Sequence, residues 1–286
     1  MKFRKSRFPT FSSCPDGHHQ PVVYTDLDGT LLDFESYALD CTLPAVKALQ
    51  QAGIPVVFCS SKTFAEQLYY RRAFGLKDPF IVENGSAIVI PVDYFTFRYV
   101  FQTTRHGFHL IELGVSARHI ISHLHTLRSD LGINFRCFTE LSIDELSGIT
   151  GLPPAMAQRA QQRDYSETII PQRPSEDLSR LETALKQKGL KLHHGGRFFT
   201  VISREADKGR AVKALNRLLE QKFGPILTIG IGDSANDAPM LKAVDYPFLV
   251  QQPGGRWADL PVPATKIPAI GPHGFVDLAE WLLAER

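Results

Sequence analysis

Cysteine is scarce in this chain of 286 residues. Cys14, Cys41, Cys59 and Cys137 form no CxxC pair and have no histidine at zinc-ligand spacing, which argues against the common structural zinc motifs. Four scattered cysteines in so long a chain also argue against a disulfide framework and favour a reducing compartment. We therefore expect a cytoplasmic protein.

Long apolar runs and an excess of charge are also missing. No stretch approaches the roughly 20 apolar residues that a membrane-spanning helix needs, and no apolar segment of a signal peptide follows the basic N-terminus. The chain has 32 basic and 30 acidic residues, whereas nucleic-acid-binding domains concentrate basic charge. The sequence predicts neither a membrane nor a nucleic acid as a partner, and it carries no signal for an oligomeric state.

Short apolar segments alternate with helical patterns along the chain. This alternation predicts an α/β fold with a Rossmann-like core, in which helices flank a parallel sheet. Strands are predicted at Val22–Tyr24, Pro55–Cys59, Phe80–Glu83, Ala87–Ile90, Phe198–Ile202, Leu227–Ile231 and Phe248–Val250. Helices are predicted at Thr42–Gln51, Thr63–Ala73 and Val276–Ala284, with another beginning at Asp207.

The spacing of polar clusters predicts a second domain. Ser60 and Lys208 are 148 residues apart, far more than one crossover connection requires. The surplus has helical and strand-like patterns of its own, so we interpret it as an inserted α/β domain over residues 91–189. We expect residues 20–90 and 190–286 to form the core, and residues 1–19 to be a disordered N-terminal extension.

The segment VVYTDLDGTLLD places Asp26 and Asp28 directly after an apolar strand. Ligands of open α/β sheets bind at the carboxyl ends of strands, and alternate residues of an extended segment point to the same side. Two such carboxylates repel each other unless a divalent cation lies between them or one of them holds a proton. The pattern favours a catalytic or metal site over the alternative, an acidic surface turn.

Two further segments supply a hydroxyl group and positive charge. In CSSKT, Ser60 and Lys62 follow an apolar strand and suit a phosphoryl oxygen, although a Ser-Ser pair is also a common helix N-cap. Lys208 occupies the first turn of a predicted helix, where the helix dipole disfavours a cation. A bound phosphate or an aspartate partner would compensate for that placement, and a solvated surface lysine is the alternative.

The segment TIGIGDSANDAPML is a second apolar strand that ends in acidic residues. Asp233 and Asp237 flank Asn236, and oxygen ligands without clustered cysteine or histidine suit Mg²⁺. The sequence has neither a complete GxGxxG fingerprint nor a GxxxxGK[ST] loop, so a dinucleotide or NTP site is poorly supported. Four polar clusters in this order therefore indicate a Mg²⁺-assisted phosphoryl site.

These motifs resemble those of the haloacid dehalogenase superfamily. DLDGTLL, Ser60, Lys208 and GDSAND match its four signatures, and the insertion resembles its type IIB cap, an α/β lid. Three segments are similar to the mannosyl-3-phosphoglycerate phosphatase family within that superfamily: VENGSAI, GLPPAMAQRAQQRDYSETI and HHGGRFFTV. The resemblance implies Mg²⁺-dependent hydrolysis of a phosphorylated sugar-linked glycerate, giving mannosylglycerate and phosphate.

The same resemblance implies a role for each motif residue. Asp26 would attack phosphorus and form an aspartyl-phosphate, while Asp28 would act as general acid and then general base. The Asp26 carboxylate, the Asp28 backbone carbonyl and Asp233 would hold Mg²⁺. Asn236 and Asp237 would lie near the metal, and Ser60 and Lys208 would neutralise the charge of the phosphoryl group. The residues expected to bind the substrate are Ser61, Lys62, Asn84, Arg163, Ser166, Glu167, Thr168 and His194.

Other readings stay open at this point. The chain could hydrolyse glucosyl-3-phosphoglycerate, sucrose phosphate or a hexose phosphate instead. A phosphomannomutase would share the DxDGT start and the cap class. A non-catalytic sensor of sugar phosphates would be expected to lack Asp26, Asp28 or Asp233, yet all three are present.

Overall fold

The computed structural model describes residues 8–9, 19–172, 176–195 and 198–285. The chain divides into two compact units. The first comprises Met1–Cys59, Phe74–Asp78 and Val212–Arg286, and the second comprises Ser60–Ala73 and Pro79–Ala211. The N-terminal extension expected at residues 1–19 lies outside the described residues, except for positions 8, 9 and 19.

The described residues alternate between strands and helices. The strands are β1 Gln20–Thr25, β2 Val56–Phe58, β3 Phe80–Val82, β4 Ala87–Pro91, β5 Thr103–Arg105, β6 Phe108–Glu112, β7 Phe135–Cys137, β8 Ser166–Pro171, β9 Leu190–Gly195, β10 Phe198–Ser203, β11 Ile226–Gly232, β12 Tyr246–Gln251 and β13 Thr265–Ile270. The helices are α1 Leu43–Gln51, α2 Phe64–Phe74, α3 Ala117–Leu131, α4 Ile143–Thr150, α5 Pro154–Gln161, α6 Glu176–Gln187, α7 Lys208–Phe223, α8 Ala238–Leu241 and α9 Gly271–Ala284. Each strand and helix predicted from the sequence is confirmed, with ends that differ by a few residues.

The first unit contains a five-stranded sheet in the order β13-β12-β11-β1-β2. All four pairs of neighbours are parallel. A parallel sheet is normally buried on both faces, and Val22, Val23 and Tyr24 of β1 are indeed fully buried. The predicted Rossmann-like core is confirmed, and β1 and β11 are direct neighbours in it.

The second unit contains two antiparallel sheets, β7-β8-β10-β9 and β3-β4-β6-β5. One face of the first of these sheets packs against α3 and α6, where Leu124 and Leu181 join Ile169 and Val201 in a buried apolar cluster. Since successive side chains of a strand point to opposite faces, the residues between them, such as Thr200, belong to the other face. The second unit thus has an α/β arrangement of its own, and the inserted domain over residues 91–189 stays a prediction.

The boundaries of the second unit differ from the expected ones at residues 90 and 189. Strand β4 pairs with β6, with Ile88 opposite Ile111, so residues 79–90 belong to this unit. At the other end, β9 and β10 form a hairpin whose Thr200 lies opposite Thr168 of β8. The unit consequently continues to Ala211. These two differences arise from strand pairing, which apolar periodicity alone does not specify. Ser60–Ala73, which was also expected in the core, belongs to the second unit as well.

Within the described part of the chain, no helix has both the length and the apolar character that crossing a membrane requires.

Candidate functional site

The first unit brings three of the predicted acidic residues together. Asp26 and Asp233 each follow directly after one of the neighbouring strands β1 and β11, and the Asp26 backbone N–H donates to the Ile231 carbonyl at 3.1 Å. Carboxylate oxygens of Asp26, Asp233 and Asp237 lie within 4.8 Å of one another. Their exposed fractions are only 4%, 3% and 0%. Adjacent carboxyl ends of parallel strands thus gather negative charge in a buried place.

Asp237 fixes the loop that carries Asp233. Its Oδ2 accepts hydrogen bonds from the backbone N–H groups of Asp233 at 3.0 Å and Ser234 at 3.1 Å. The loop also packs tightly, because a Cβ atom at Gly232 would lie 2.4 Å from Asp237 Cγ. Asn236 lies in the same loop, where its Oδ1 accepts a hydrogen bond from Ser234 Oγ at 2.6 Å. The side chains of the loop therefore stabilise its conformation.

Asp28 lies in a tight turn after β1. The backbone N–H groups of Thr30, Leu31 and Leu32 all donate to the Leu27 carbonyl, and this turn leaves the Asp28 side chain half-buried. Gly29 has a φ of +71°, which favours glycine at this position. A Cβ atom there would also approach Asp233 Oδ2 to 2.9 Å, so glycine lets the turn pass close to the acidic cluster.

The acidic cluster suits a hard divalent cation. Its three side chains all offer carboxylate oxygens, the ligands that Mg²⁺ prefers, and it contains no sulfur or imidazole that would favour a softer metal. Buried like charges at this separation are costly unless a cation or a proton compensates for them. The residues therefore fit the predicted magnesium site.

In the second unit, hydrogen bonds join the segment after β2 to the turn after β3. The Asn84 N–H donates to the Ser60 carbonyl at 3.0 Å, and the Glu83 N–H donates to the Lys62 carbonyl at 3.1 Å. Gly85, with a φ of +89°, packs against the start of α7, since a Cβ atom there would lie 2.1 Å from the Asp207 carbonyl oxygen. The structure thus brings Ser60, Asn84 and Lys208 into one part of this unit.

Most side chains of this second group are buried. Ser60 and Lys208 are 0% and 1% exposed, and Lys62 is 5% exposed. The Lys62 ammonium lies 3.6 Å from Glu66 Oε1, so the protein itself balances this charge. Ser61 is half-buried. Their roles toward a substrate stay predictions.

Glu83 is a residue that sequence reasoning missed. Its Oε1 accepts the Asp164 N–H at 2.9 Å, and its Oε2 accepts the Tyr165 N–H at 3.0 Å and the Ser166 hydroxyl at 2.5 Å. Burial raises the pKa of Glu83, and the nearby Arg163 opposes that rise. The signal was an acidic residue inside the apolar run FIVENGSAIVI. Glu83 ties the turn after β3 to the start of β8.

The residues expected to bind substrate around β8 make contacts within the protein. Arg163 Nη1 donates to Ser166 Oγ at 2.9 Å. Glu167 is fully buried, and it accepts hydrogen bonds from the Thr139 hydroxyl at 2.6 Å and the Thr168 N–H at 2.8 Å. Burial is the main cause that raises the pKa of Glu167. These contacts give Ser166 and Glu167 a structural role, while their binding of a substrate remains a prediction.

Two adjacent histidines occupy opposite faces of the sheet. His194 is exposed, and its ring packs edge-on against Phe199 at 4.9 Å between centroids. His193 instead lies in a row with Thr200 and Thr168, whose hydroxyls are 3.2 Å apart. Burial, with Lys191 and Lys208 nearby, lowers the pKa of His193 to about 4. The sequence analysis named His194 as a substrate-binding residue. The structure instead places His193 on the polar face of the sheet, because the pairing register of β9 with β10 decides which face each histidine occupies.

Replacing Glu83 by alanine should destabilise the protein. Two buried donors and one partly buried donor would lose their acceptor. Each buried unsatisfied donor costs about 1–3 kcal/mol, so we expect the free energy of unfolding to fall by roughly 2–6 kcal/mol. Urea unfolding measures this change. The control is Glu205→Ala, which removes an exposed glutamate from a surface ion pair. Equal small losses in both variants would contradict the role given to Glu83.

His193 should make the stability of the protein depend on pH. Because its pKa is lower in the folded state, at about 4, the unfolded state binds more protons as the pH falls below about 6.5, and the folded state loses stability. His193→Gln removes this effect. Between pH 7 and pH 4.5 the variant should gain roughly 1–3 kcal/mol relative to the wild type in urea unfolding.

The matched control for this experiment is His106→Gln, which changes an exposed histidine in the same unit. Its stability should follow the wild type at each pH. If His193→Gln also followed the wild type at each pH, the lowered pKa of His193 would be contradicted.

Comparison with known proteins agrees with the geometry. The family model described as haloacid dehalogenase-like hydrolase matches residues 23–114 and 156–253. A glucosyl-3-phosphoglycerate/mannosyl-3-phosphoglycerate phosphatase from Methanococcoides burtonii is 37% identical over 257 residues, which are 89% of this chain and 94% of the relative. A mannosyl-3-phosphoglycerate phosphatase from Pyrococcus furiosus is 38% identical over 229 residues, covering 80% of this chain and 90% of the relative.

Solved structures share the fold at lower sequence identity. A phosphatase of the haloalkanoate enzyme superfamily from Bacteroides thetaiotaomicron aligns with a TM-score of 0.62 at 19% identity, over 95% of this chain and 97% of that one. Family model, relatives and fold all agree with the motif resemblance, which is confirmed: this chain belongs to the haloacid dehalogenase-like hydrolases.

Proposed function

We propose that this chain is a Mg²⁺-dependent phosphatase that hydrolyses mannosyl-3-phosphoglycerate to mannosylglycerate and phosphate. The observation that carries the proposal is the buried cluster of Asp26, Asp233 and Asp237 within 4.8 Å at neighbouring strand ends. Such a cluster combines a carboxylate nucleophile with a place for a divalent cation. The substrate follows from the names of relatives that are 37% and 38% identical.

The proposed reaction has two steps at one carboxylate. An Asp26 oxygen forms a bond to phosphorus as the bond from phosphorus to the glycerate oxygen breaks, and Asp28 gives its proton to the departing oxygen. In the second step Asp28 removes a proton from a water molecule, which attacks phosphorus and releases phosphate and free Asp26. Dividing the reaction in this way replaces one difficult displacement by two easier ones. Asp28, half-buried in its turn, is available for proton transfer in both directions.

The phosphoryl oxygens carry negative charge that must be compensated throughout. Mg²⁺ held by Asp26, Asp233 and the Asp28 backbone carbonyl would supply positive charge to these oxygens. Asp237 keeps the Asp233 loop in place through its two backbone hydrogen bonds. We assign the Ser60 hydroxyl and the Lys208 ammonium to the same task, because fixed donors and charges stabilise developing negative charge. Enzymes accelerate phosphate-monoester hydrolysis by up to ~10²¹-fold, and proton transfer is worth only about 10²–10⁴-fold of this. Charge compensation is therefore the larger contribution.

A second substrate is favoured by one specific observation. The relatives from Methanococcoides burtonii and Persephonella marina, 37% and 34% identical, are both named for glucosyl-3-phosphoglycerate as well as the mannosyl compound. We therefore propose glucosyl-3-phosphoglycerate as an alternative substrate of the same site. A phosphomannomutase, which needs a bisphosphate activator, is distinguished by phosphate release without one.

Phosphate release with Mg²⁺ should be faster from mannosyl-3-phosphoglycerate or glucosyl-3-phosphoglycerate than from mannose 6-phosphate. Asp26→Asn should lower kcat at least about 10³-fold because it removes the nucleophile, and Asp28→Asn should lower kcat about 10²–10⁴-fold because it removes the proton donor. The matched control is Asp259→Asn, an exposed aspartate of the same unit.

Two results would contradict different parts of the proposal. Equal rates from all three esters would contradict the sugar-linked glycerate as substrate. An Asp26→Asn variant as active as Asp259→Asn would contradict the mechanism itself.

A further inference from the structure

The second unit contains a pocket of about 620 Å³ beside the outward face of α2. Its walls come from α2, the end of α5 with the segment that follows it, and the turn between β5 and β6. Of the residues described, those lining the pocket include none that we assign to phosphoryl transfer, although Arg163, which was expected to bind substrate, is among them. The pocket is large enough for a metabolite-sized ligand.

The pocket is rich in guanidinium groups. Arg72, Arg105, Arg159 and Arg163 all line it, against one carboxylate, that of Asp164. Arg105 already holds both oxygens of this carboxylate, at 2.8 and 2.6 Å. Three guanidinium groups therefore exceed the negative charge of the lining. Such an excess attracts anions, because fixed positive charges in a concave site reinforce one another.

Arg163 is partly compensated from outside the pocket. The buried carboxyls Glu83 and Glu167 both interact electrostatically with it. The main excess of positive charge consequently lies at Arg72, which is exposed, and Arg159, which is half-buried.

Two of the arginines are held in position by aromatic rings. The Arg105 guanidinium lies 4.3 Å from the centre of the Phe64 ring, and the Arg159 guanidinium lies 5.0 Å from the centre of the Tyr69 ring. Arg159 Nη1 also donates to the Ala155 carbonyl at 2.7 Å. Stacking fixes the plane of a guanidinium. A ligand would thus meet donors whose orientation is already set.

Two of the arginines in the pocket also carry an unpaired donor. The Nε atoms of Arg105 and Arg163 are buried and have no hydrogen-bond partner among the described residues. Buried N–H donors are nearly always paired in proteins, since an unpaired donor costs about 1–3 kcal/mol. Both arginines line the pocket, so the unpaired donors belong to side chains that a ligand in the pocket would contact.

We propose that this pocket binds a small polyanion, a metabolite-sized molecule with two or more phosphate or carboxylate groups. Guanidinium groups bind both kinds of oxyanion through paired N–H donors. The site goes beyond the proposed phosphatase function, because Arg72 and Arg159, which carry its excess charge, have no role in the proposed reaction.

Isothermal titration calorimetry in EDTA tests this proposal, with pyrophosphate and citrate as separate probes for phosphate and carboxylate ligands. The test variant is Arg72→Gln/Arg159→Gln, and each single variant is measured beside it. The control is Arg118→Gln, which removes the charge of an exposed arginine on α3. Binding at the proposed phosphoryl site is common to all of these proteins and cancels in the comparison.

The double variant should bind pyrophosphate, citrate or both at least tenfold more weakly than Arg118→Gln, with unchanged circular dichroism. If the double variant did not fold, each single variant should weaken the same probe at least threefold. Equal dissociation constants in the pocket and control variants would overturn the proposal, as would a wild-type protein that binds neither probe.

Discussion

Mutual repulsion of buried carboxylates is the constraint on which the first unit depends. Asp26, Asp233 and Asp237 place oxygens within 4.8 Å of one another, and two unit charges at 4 Å repel by ~4 kcal/mol at an effective dielectric constant of 20. Parallel pairing of β1 with β11 imposes this proximity, since both strands end at the same edge. A divalent cation bound there would be attracted by all three carboxylates and would offset their repulsion. In the proposed chemistry, the positive charge of this cation would also compensate for the negative charge of the phosphoryl group.

The second unit also buries a carboxyl group, but there hydrogen-bond donors of the protein stabilise it. Glu83 is buried, yet three donors from one short segment surround its carboxyl group. Glu83 and Asn84 have φ values of 49° and 58°, and left-handed backbone at non-glycine residues is uncommon. Such strain persists where surrounding contacts demand it. Here the contacts of Glu83 with residues 164–166 and of Gly85 with Asp207 hold the backbone in this conformation.

The sequence is sufficient to predict most features that depend on one strand and the residues directly after it. Asp26 and Asp233 are recognisable because each follows an apolar run, and the parallel core follows from the alternation of elements. Features that depend on pairing between distant segments are not predictable in this way. The side of the sheet that His193 occupies depends on its register with Thr200. Arg72 looks in the sequence like an ordinary exposed helix residue, and only the fold places it in the same pocket as Arg159.

Binding of Mg²⁺ in the absence of substrate tests the central claim most directly. We expect calorimetric titration to give one Mg²⁺ per wild-type chain, and Asp233→Asn to weaken the affinity at least tenfold because it removes one charged oxygen ligand. The exposed-residue variant Asp259→Asn should retain the wild-type affinity. A wild-type protein that does not bind Mg²⁺, or an Asp233→Asn variant with unchanged affinity, would contradict the account.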